Sequence, residues 1–261
     1  MLASAWRYRR FIISSIAADF RLRYARSRVG LFWMLAQPLA QVAIFALVLS
    51  GVLAARLPGS GGPFAYATYL LAGMLFWTLL SETVLRCLTV FIENGNLLRK
   101  ISFPRVTLPI IAVGVALASH AVLMIVTILG AALMGHPPGA HLLALVPLTV
   151  LTLALATGLG IVLGALNVFA RDVGQAVPVL LQIAFWLTPI VYTASILPEE
   201  YRHFVDLNPF ARLATAYQQV FVAGTVPDWM SLVPVAALAV VLLVMALALV
   251  RRAGPEMADV L

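Results

Sequence analysis

Six long apolar runs divide this chain, at about residues 31–54, 64–92, 106–134, 142–170, 176–192 and 229–250. A helix needs roughly 20 apolar residues to cross the hydrocarbon core of a bilayer. Each run approaches or exceeds that length, and each ends in polar, proline-containing or glycine-containing sequence. A soluble domain is about a quarter charged; here 10% of residues are charged and 63% are hydrophobic. The fold class is therefore an all-α integral membrane protein with six transmembrane helices in a single domain over 1–261.

Charge placement sets the expected orientation. Thirteen cations fall in the segments before the first run, between runs two and three, between runs four and five, and after the sixth. Three (Arg56, Arg202 and Arg212) fall in the alternate segments, and Arg86 lies within a run. The positive-inside rule then places both termini in the cytoplasm. The net charge of +7 reflects this asymmetry and anionic lipid, with no need for nucleic acid. The apolar stretch after Arg7, Arg9 and Arg10 stops at Asp19 without a small-residue cleavage site. It reads as part of the mature chain rather than as a signal peptide.

Residues 1–30 carry the densest cations, including Arg21, Arg23, Arg26 and Arg28. Trp6, Ile13, Ile16, Phe20 and Tyr24 share one arc of a helical wheel, though Arg9 and Arg23 interrupt it. The pattern predicts a helix in the cytoplasmic headgroup layer with snorkelling arginines; a disordered basic arm is the alternative.

Residues 93–105, Glu93-Asn-Gly-Asn-Leu-Leu-Arg-Lys-Ile-Ser-Phe-Pro-Arg105, form the most polar interior break and hold the only lysine, Lys100. Leu97, Leu98, Ile101 and Phe103 stand at roughly helical spacing, flanked by Arg99, Pro104 and Arg105. This suits a short surface helix offering an apolar knob to a soluble partner; an ordinary basic loop is the plainer reading.

Several features inside the runs bear on packing. Glu82 and Arg86 lie one turn apart and can pair, which offsets part of the cost of intramembrane charge. Ser119 and His120 are adjacent, hence about 100° apart on a helix, so they read as buried residues rather than as a nucleophile and its base. Gly160 and Gly164 form a small-xxx-small pair for close helix approach. Pro178 and Pro189 predict a kink or break in the fifth run. Residues 197–223 read as two short outer helices, the second opened by Asn208 as N-cap and Pro209 as first helical residue. Its apolar stripe is Phe210, Leu213, Ala214, Tyr217, Val220 and Phe221, and at this length it would lie on, or dip into, the outer leaflet.

Catalysis finds no footing. The single lysine follows Arg99, so no phosphate-binding P-loop can form, and no HExxH or nucleophile elbow is present. Cys87 is alone, and His136 and His141 in a proline turn are weak metal ligands. No catalytic, cofactor-binding or metal residues are assigned.

Taken together, four stretches resemble the membrane subunit of ABC-2 type polysaccharide exporters, the permeases of O-antigen, capsule and teichoic acid. They are Arg21 to Trp33 with Gln37-Pro38; Asn96 to Arg105 with Leu108-Pro109; Phe169-Ala-Arg171-Asp172; and Phe185-Trp186, Thr188-Pro189, Tyr192, Asn208-Pro209 and Arg212. Thr188 stands where a serine is common in the family.

The resemblance implies a homodimer in the bacterial inner membrane that works with a separate cytoplasmic ABC ATPase. ATP and magnesium would reside on that partner, and this chain would be no enzyme. It implies a cytoplasmic interface helix at 1–30, a coupling helix at 93–105 with a smaller ATPase contact at Arg171 and Asp172, and outer gate helices within 197–223. The substrate would be lipid-linked polysaccharide, with periplasmic or outer-membrane export proteins as a further partner class. The alternatives are an ABC-2 permease for a drug or lipid, and a non-transporting scaffold.

Sugars stack on aromatic faces, so Phe76, Trp77, Phe185, Trp186 and Tyr192 are candidates for a channel or gate, with Pro189, Asn208, Pro209, Arg212 and Tyr217 around them. Trp33, Tyr66, Tyr69 and Trp229 fit better as an interfacial aromatic belt.

Overall fold

The computed structural model describes residues 8–25, 35–45, 64–95, 106–135 and 137–252. Its regular elements are helical: α1 (Arg9–Ala25), α2 (Leu35–Phe45), α3 (Ala65–Glu93), α4 (Thr107–Leu133), α5 (Leu145–Phe169), α6 (Asp172–Leu187), α7 (Glu199–Leu207), α8 (Pro209–Gln218) and α9 (Trp229–Arg252). A 3₁₀ turn, Ala140–Ala144, leads directly into α5. Among the described residues, four helical stretches are long and apolar enough to cross a membrane: α3, α4, Ala140–Phe169 and α9. The shorter apolar helices α2 and α6 occupy the places of the first and fifth runs. With 16 residues, α6 reaches only about 24 Å.

The centre of the bundle is α3. It is buried on nearly every side, from Tyr66 and Leu70 to Leu88 and Phe91, and it packs chiefly on α5 and α4. Beyond α5 lies α9, and beyond α4 lies α1. Apolar side chains gain little by leaving lipid for protein, so contact in such a bundle depends on shape and small residues.

Helix α5 uses its glycines in this way on two sides. A Cβ on Gly160 would stand 2.7 Å from Cys87 Cβ, and one on Gly164 would run into the Cys87 carbonyl oxygen, so this face meets the α3 backbone. A Cβ on Gly158 would stand 2.8 Å from Leu242 Cβ on α9. Asn167 then ties the end of α5 to α3, its Nδ2 donating to the Leu88 carbonyl at 3.0 Å.

The N-terminal segment is helical over Arg9–Ala25. Ile12 is buried and Ile16 sits over Gly114 of α4, where a Cβ would overlap Ile16 Cδ1. Ile13, on the apolar arc read from sequence, is 65% exposed. Neighbouring isoleucines stand about 100° apart, and the glycine notch on α4 selects which one faces inward. Arg21 is exposed. The side chain of Arg23, and Arg26 and Arg28 entirely, lie outside the described residues.

Candidate functional site

An open cleft of about 1480 Å³ runs along one side of α3. The α3 stripe that lines it extends from Met74 and Trp77 through Ser81, Glu82, Leu85, Arg86 and Thr89 to Glu93 and Asn94. At ~1.5 Å per residue this is about 30 Å, comparable with the hydrocarbon thickness of a bilayer. The remaining walls come from α1 (Phe11, Ser15, Ala18, Asp19), α2 (Gln37, Pro38, Gln41), the face of α4 from Leu108 to Leu123, and α6 (Pro178, Leu181, Gln182, Phe185). Apolar side chains, amides and hydroxyls alternate with four charged groups on this surface: Asp19, Glu82, Arg86 and Glu93.

The intramembrane pair faces this space. Arg86 Nε donates to Glu82 Oε1 at 3.0 Å, closing the expected i,i+4 contact. Its Nη1 also reaches Asp19 Oδ2 of α1 at 3.4 Å. Nothing in the local sequence points to Asp19, which lies 67 positions away.

At the other end of the cleft, aromatic rings gather. Trp77 meets Phe185 edge-on with centroids 5.5 Å apart and meets Phe210 at 6.2 Å. Phe185 stacks near Phe45 of α2 at 6.4 Å, and Trp186 meets Phe45 edge-on at 6.2 Å. The sequence-derived candidates therefore separate. Trp77 and Phe185 line the cleft. Trp186 is half exposed and is not among the residues that line the cleft. Phe76 is fully buried against Tyr217, 5.8 Å away. Phe45 and Phe210 join the cluster without a motif to mark them.

Beyond the cluster α6 stops, and Thr188 to Tyr192 form an irregular break that exposes backbone carbonyls. At membrane depth such carbonyls must find partners inside the protein. The hydroxyl of Tyr69 stands 2.9 Å from the Pro189 carbonyl and 2.8 Å from that of Tyr192, sharing one proton between them. Tyr66 donates to the Val191 carbonyl at 2.8 Å, and Gln218 Nε2 donates to that of Pro189 at 3.0 Å. Gly73 makes room for the break, since a Cβ there would lie 3.0 Å from Ile190 and 3.1 Å from Gln218. Tyr66 and Tyr69 are thus buried donors rather than members of an interfacial belt. Tyr192 is half-buried and takes part through its backbone.

The helices after the break lock onto it. Asn208 caps α8 as read from sequence: its Oδ1 accepts from the Phe210 amide at 2.9 Å, and Pro209 occupies the first turn. Asn208 Nδ2 also reaches the Leu187 carbonyl. Arg212 donates to the Asp206 and Ser231 carbonyls, each at 2.8 Å, tying α7, α8 and α9 together. Leu213, Ala214, Tyr217, Val220 and Phe221 are buried, so the α8 stripe faces the bundle. A π-helical turn over Gln219–Ala223 ends at Gly224, whose φ of 63° favours glycine.

His120 is buried, but only one of its ring nitrogens has a hydrogen-bond partner among the described residues. Its Nε2 lies 3.3 Å from Thr149 Oγ1, which in turn lies 3.3 Å from the Tyr217 hydroxyl. Arg171 and Asp172 are exposed where α5 turns into α6, at the N-terminal end of α6. Glu93 closes α3 at the cleft mouth. Leu97, Leu98, Arg99, Lys100, Ile101, Phe103, Pro104 and Arg105 lie outside the described residues.

This arrangement provides a long, open groove with aromatic and polar walls. Comparison with known proteins gives the family. The chain is 28% identical over 262 residues to the O-antigen export system permease protein RfbA of Myxococcus xanthus, covering 99% of this chain and 98% of that protein. It is 26% identical over 208 residues to the protein of the same name from Klebsiella pneumoniae, covering 79% of this chain and 78% of that one. The profile of the ABC-2 type transporter family matches residues 11–222, from the first turn of α1 to the π-helical turn after α8. The chain belongs to the ABC-2 type transporter family and is a multi-pass membrane protein.

Proposed function

We propose that this chain is the membrane-spanning subunit of an ATP-driven exporter. It moves lipid-linked polysaccharide, O-antigen or capsule, outward across a bacterial inner membrane. The observation that carries this reading is the end-to-end likeness to an O-antigen export permease, which leaves almost no part of either chain uncovered. The cleft supports it physically. A glycan needs a wide, wet path with apolar ring faces for stacking and amides or hydroxyls for its own hydroxyls. The Trp77–Phe185 corner and the Gln41, Ser81 and Gln182 side chains offer these groups on one surface.

The finer parts of the proposal follow the family. Two copies assemble with their clefts facing, each contributing six spans with both termini in the cytoplasm, and α2 and α6 serve as the short first and fifth spans. Residues 93–105 dock on a separate ABC ATPase, which binds ATP and magnesium, and Arg171 and Asp172 form a second contact. Residues 197–223 form the outer gate.

The test is lipid-linked glycan analysis of inner membranes from a strain lacking the gene. Accumulated polymer on the inner side is the expected result, and the chemistry at its reducing end separates polyprenyl-linked O-antigen from phospholipid-linked capsule. Unchanged surface glycan together with unchanged internal pools would overturn polysaccharide export.

A further inference from the structure

One face of α1 forms a wall of the cleft, with Phe11, Ser15, Ala18 and Asp19 at three- and four-residue steps along it. Among the contacts of the described residues, two tie this wall to different neighbours. Ile16 rests over the notch left by Gly114 on α4. Asp19 pairs with Arg86 of α3.

The ion pair is built to part easily. Arg86 keeps a second carboxylate, Glu82, one turn away on its own helix and at the shorter distance, 3.0 Å against 3.4 Å. A guanidinium whose partner departs inside a membrane protein is normally left as a costly uncompensated charge. Here the contact with Glu82 on the same helix remains when Asp19 leaves. The side chains of Arg86 and Glu82 are about one-fifth exposed, whereas that of Asp19 is 52% exposed. The bond to α1 is thus the longer and wetter of the two, and water can replace it.

We infer that α1 is a movable wall, latched to α3 through Asp19–Arg86 and to α4 through Ile16 over Gly114. Its release widens the end of the cleft nearest Glu93 for an amphiphile arriving from the membrane. Only the nature of that amphiphile rests on the export reading; the latch itself does not.

The experiment uses the full chain in open membrane fragments, with Thr89→Cys, on the cleft wall between Arg86 and Glu93, as reporter and a polar maleimide as probe. The native Cys87 is fully buried, so the chain without the reporter cysteine serves as the blank and the reporter chain as the parent. Asp19→Asn is expected to raise the reporter's labelling rate about fivefold, equivalent to the ~1 kcal/mol upper range for an exposed pair. Ile16→Ala is expected to raise it as well, and Asp19→Glu, which keeps the carboxylate, to hold it near the parent rate. Labelling by Asp19→Asn at the parent rate, or by Asp19→Glu as fast as by Asp19→Asn, would overturn the latch. Unchanged glycan pools in the deletion strain would sink the export reading and leave the labelling result standing, so the two failures are distinguishable.

Discussion

At the residue scale, the break after α6 is the most demanding feature, because its carbonyls rely on side chains far away in sequence. The Pro189 carbonyl has two donors, Tyr69 and Gln218, whereas that of Tyr192 has Tyr69. Tyr69→Phe is therefore expected to cost about 1–2 kcal/mol, read as a lower Tm of the purified chain in detergent. Gln218→Leu alone leaves Tyr69 on the Pro189 carbonyl and should cost about 1 kcal/mol. The double variant strips both donors and orphans a buried acceptor, so the losses should exceed additivity by at least ~0.5 kcal/mol. Strict additivity in that cycle would mean that the two side chains do not share the carbonyl. The local sequence announces this site only halfway. Pro189 foretells an irregular backbone, and Asn208-Pro209 foretells the helix start beside it. Tyr66 and Tyr69 give no such sign, since a tyrosine near a span end reads equally well as an interfacial anchor, and its acceptors lie more than 115 residues further along the chain.

At the element scale, glycines decide how closely the helices approach, and their neighbours decide what a methyl group would cost. Gly164→Ala pushes a Cβ into the Cys87 carbonyl, part of a rigid helix backbone that cannot yield. Overpacking of this kind costs about 1–3 kcal/mol, so thermal stability in detergent should fall clearly. Gly114→Ala instead meets the flexible tip of Ile16. The tip can rotate away, so the stability loss should be smaller than for Gly164→Ala, and adding Ile16→Ala should restore most of it. Equal losses at the two glycines would contradict this division between rigid and yielding neighbours. The Gly160 and Gly164 spacing foretold a close approach because one helix carries the whole signal. The seat of α1 was less legible. Its periodicity marks an apolar arc without saying what the arc packs against, and the notch that receives Ile16 lies on another helix. Short helices also blur the count of spans: α6 has the composition of a span without the full length, and the irregular break continues from its end.

Across the whole molecule, α3 links the pieces that an exporter must couple. It begins among the tyrosines that hold the break after α6, carries Trp77, Ser81 and Arg86 along the cleft, and ends at Glu93 where the proposed ATPase-docking segment starts. As one unbroken helix of 29 residues, it can pass a displacement at its Glu93 end to its Tyr66 end without a hinge to absorb it. The cleft wall and the docking segment should then fail in different ways. Trp77→Ala removes a stacking face worth about 1 kcal/mol, so glycan export should slow about fivefold while ATP turnover of the assembled complex stays near the parent rate. Leu98→Asp and Phe103→Asp place a charge where an apolar knob is proposed to enter the ATPase. They should lower ATP turnover and export together, with the chain still inserted in the membrane. Measuring both rates in one reconstituted complex separates the roles. If Trp77→Ala lowered ATP turnover as strongly as export, the cleft would be part of the coupling machinery rather than the path of the glycan. If both aspartate variants hydrolysed ATP at the parent rate, 93–105 would not be the docking segment, and the exposed Arg171–Asp172 turn would be the remaining candidate contact.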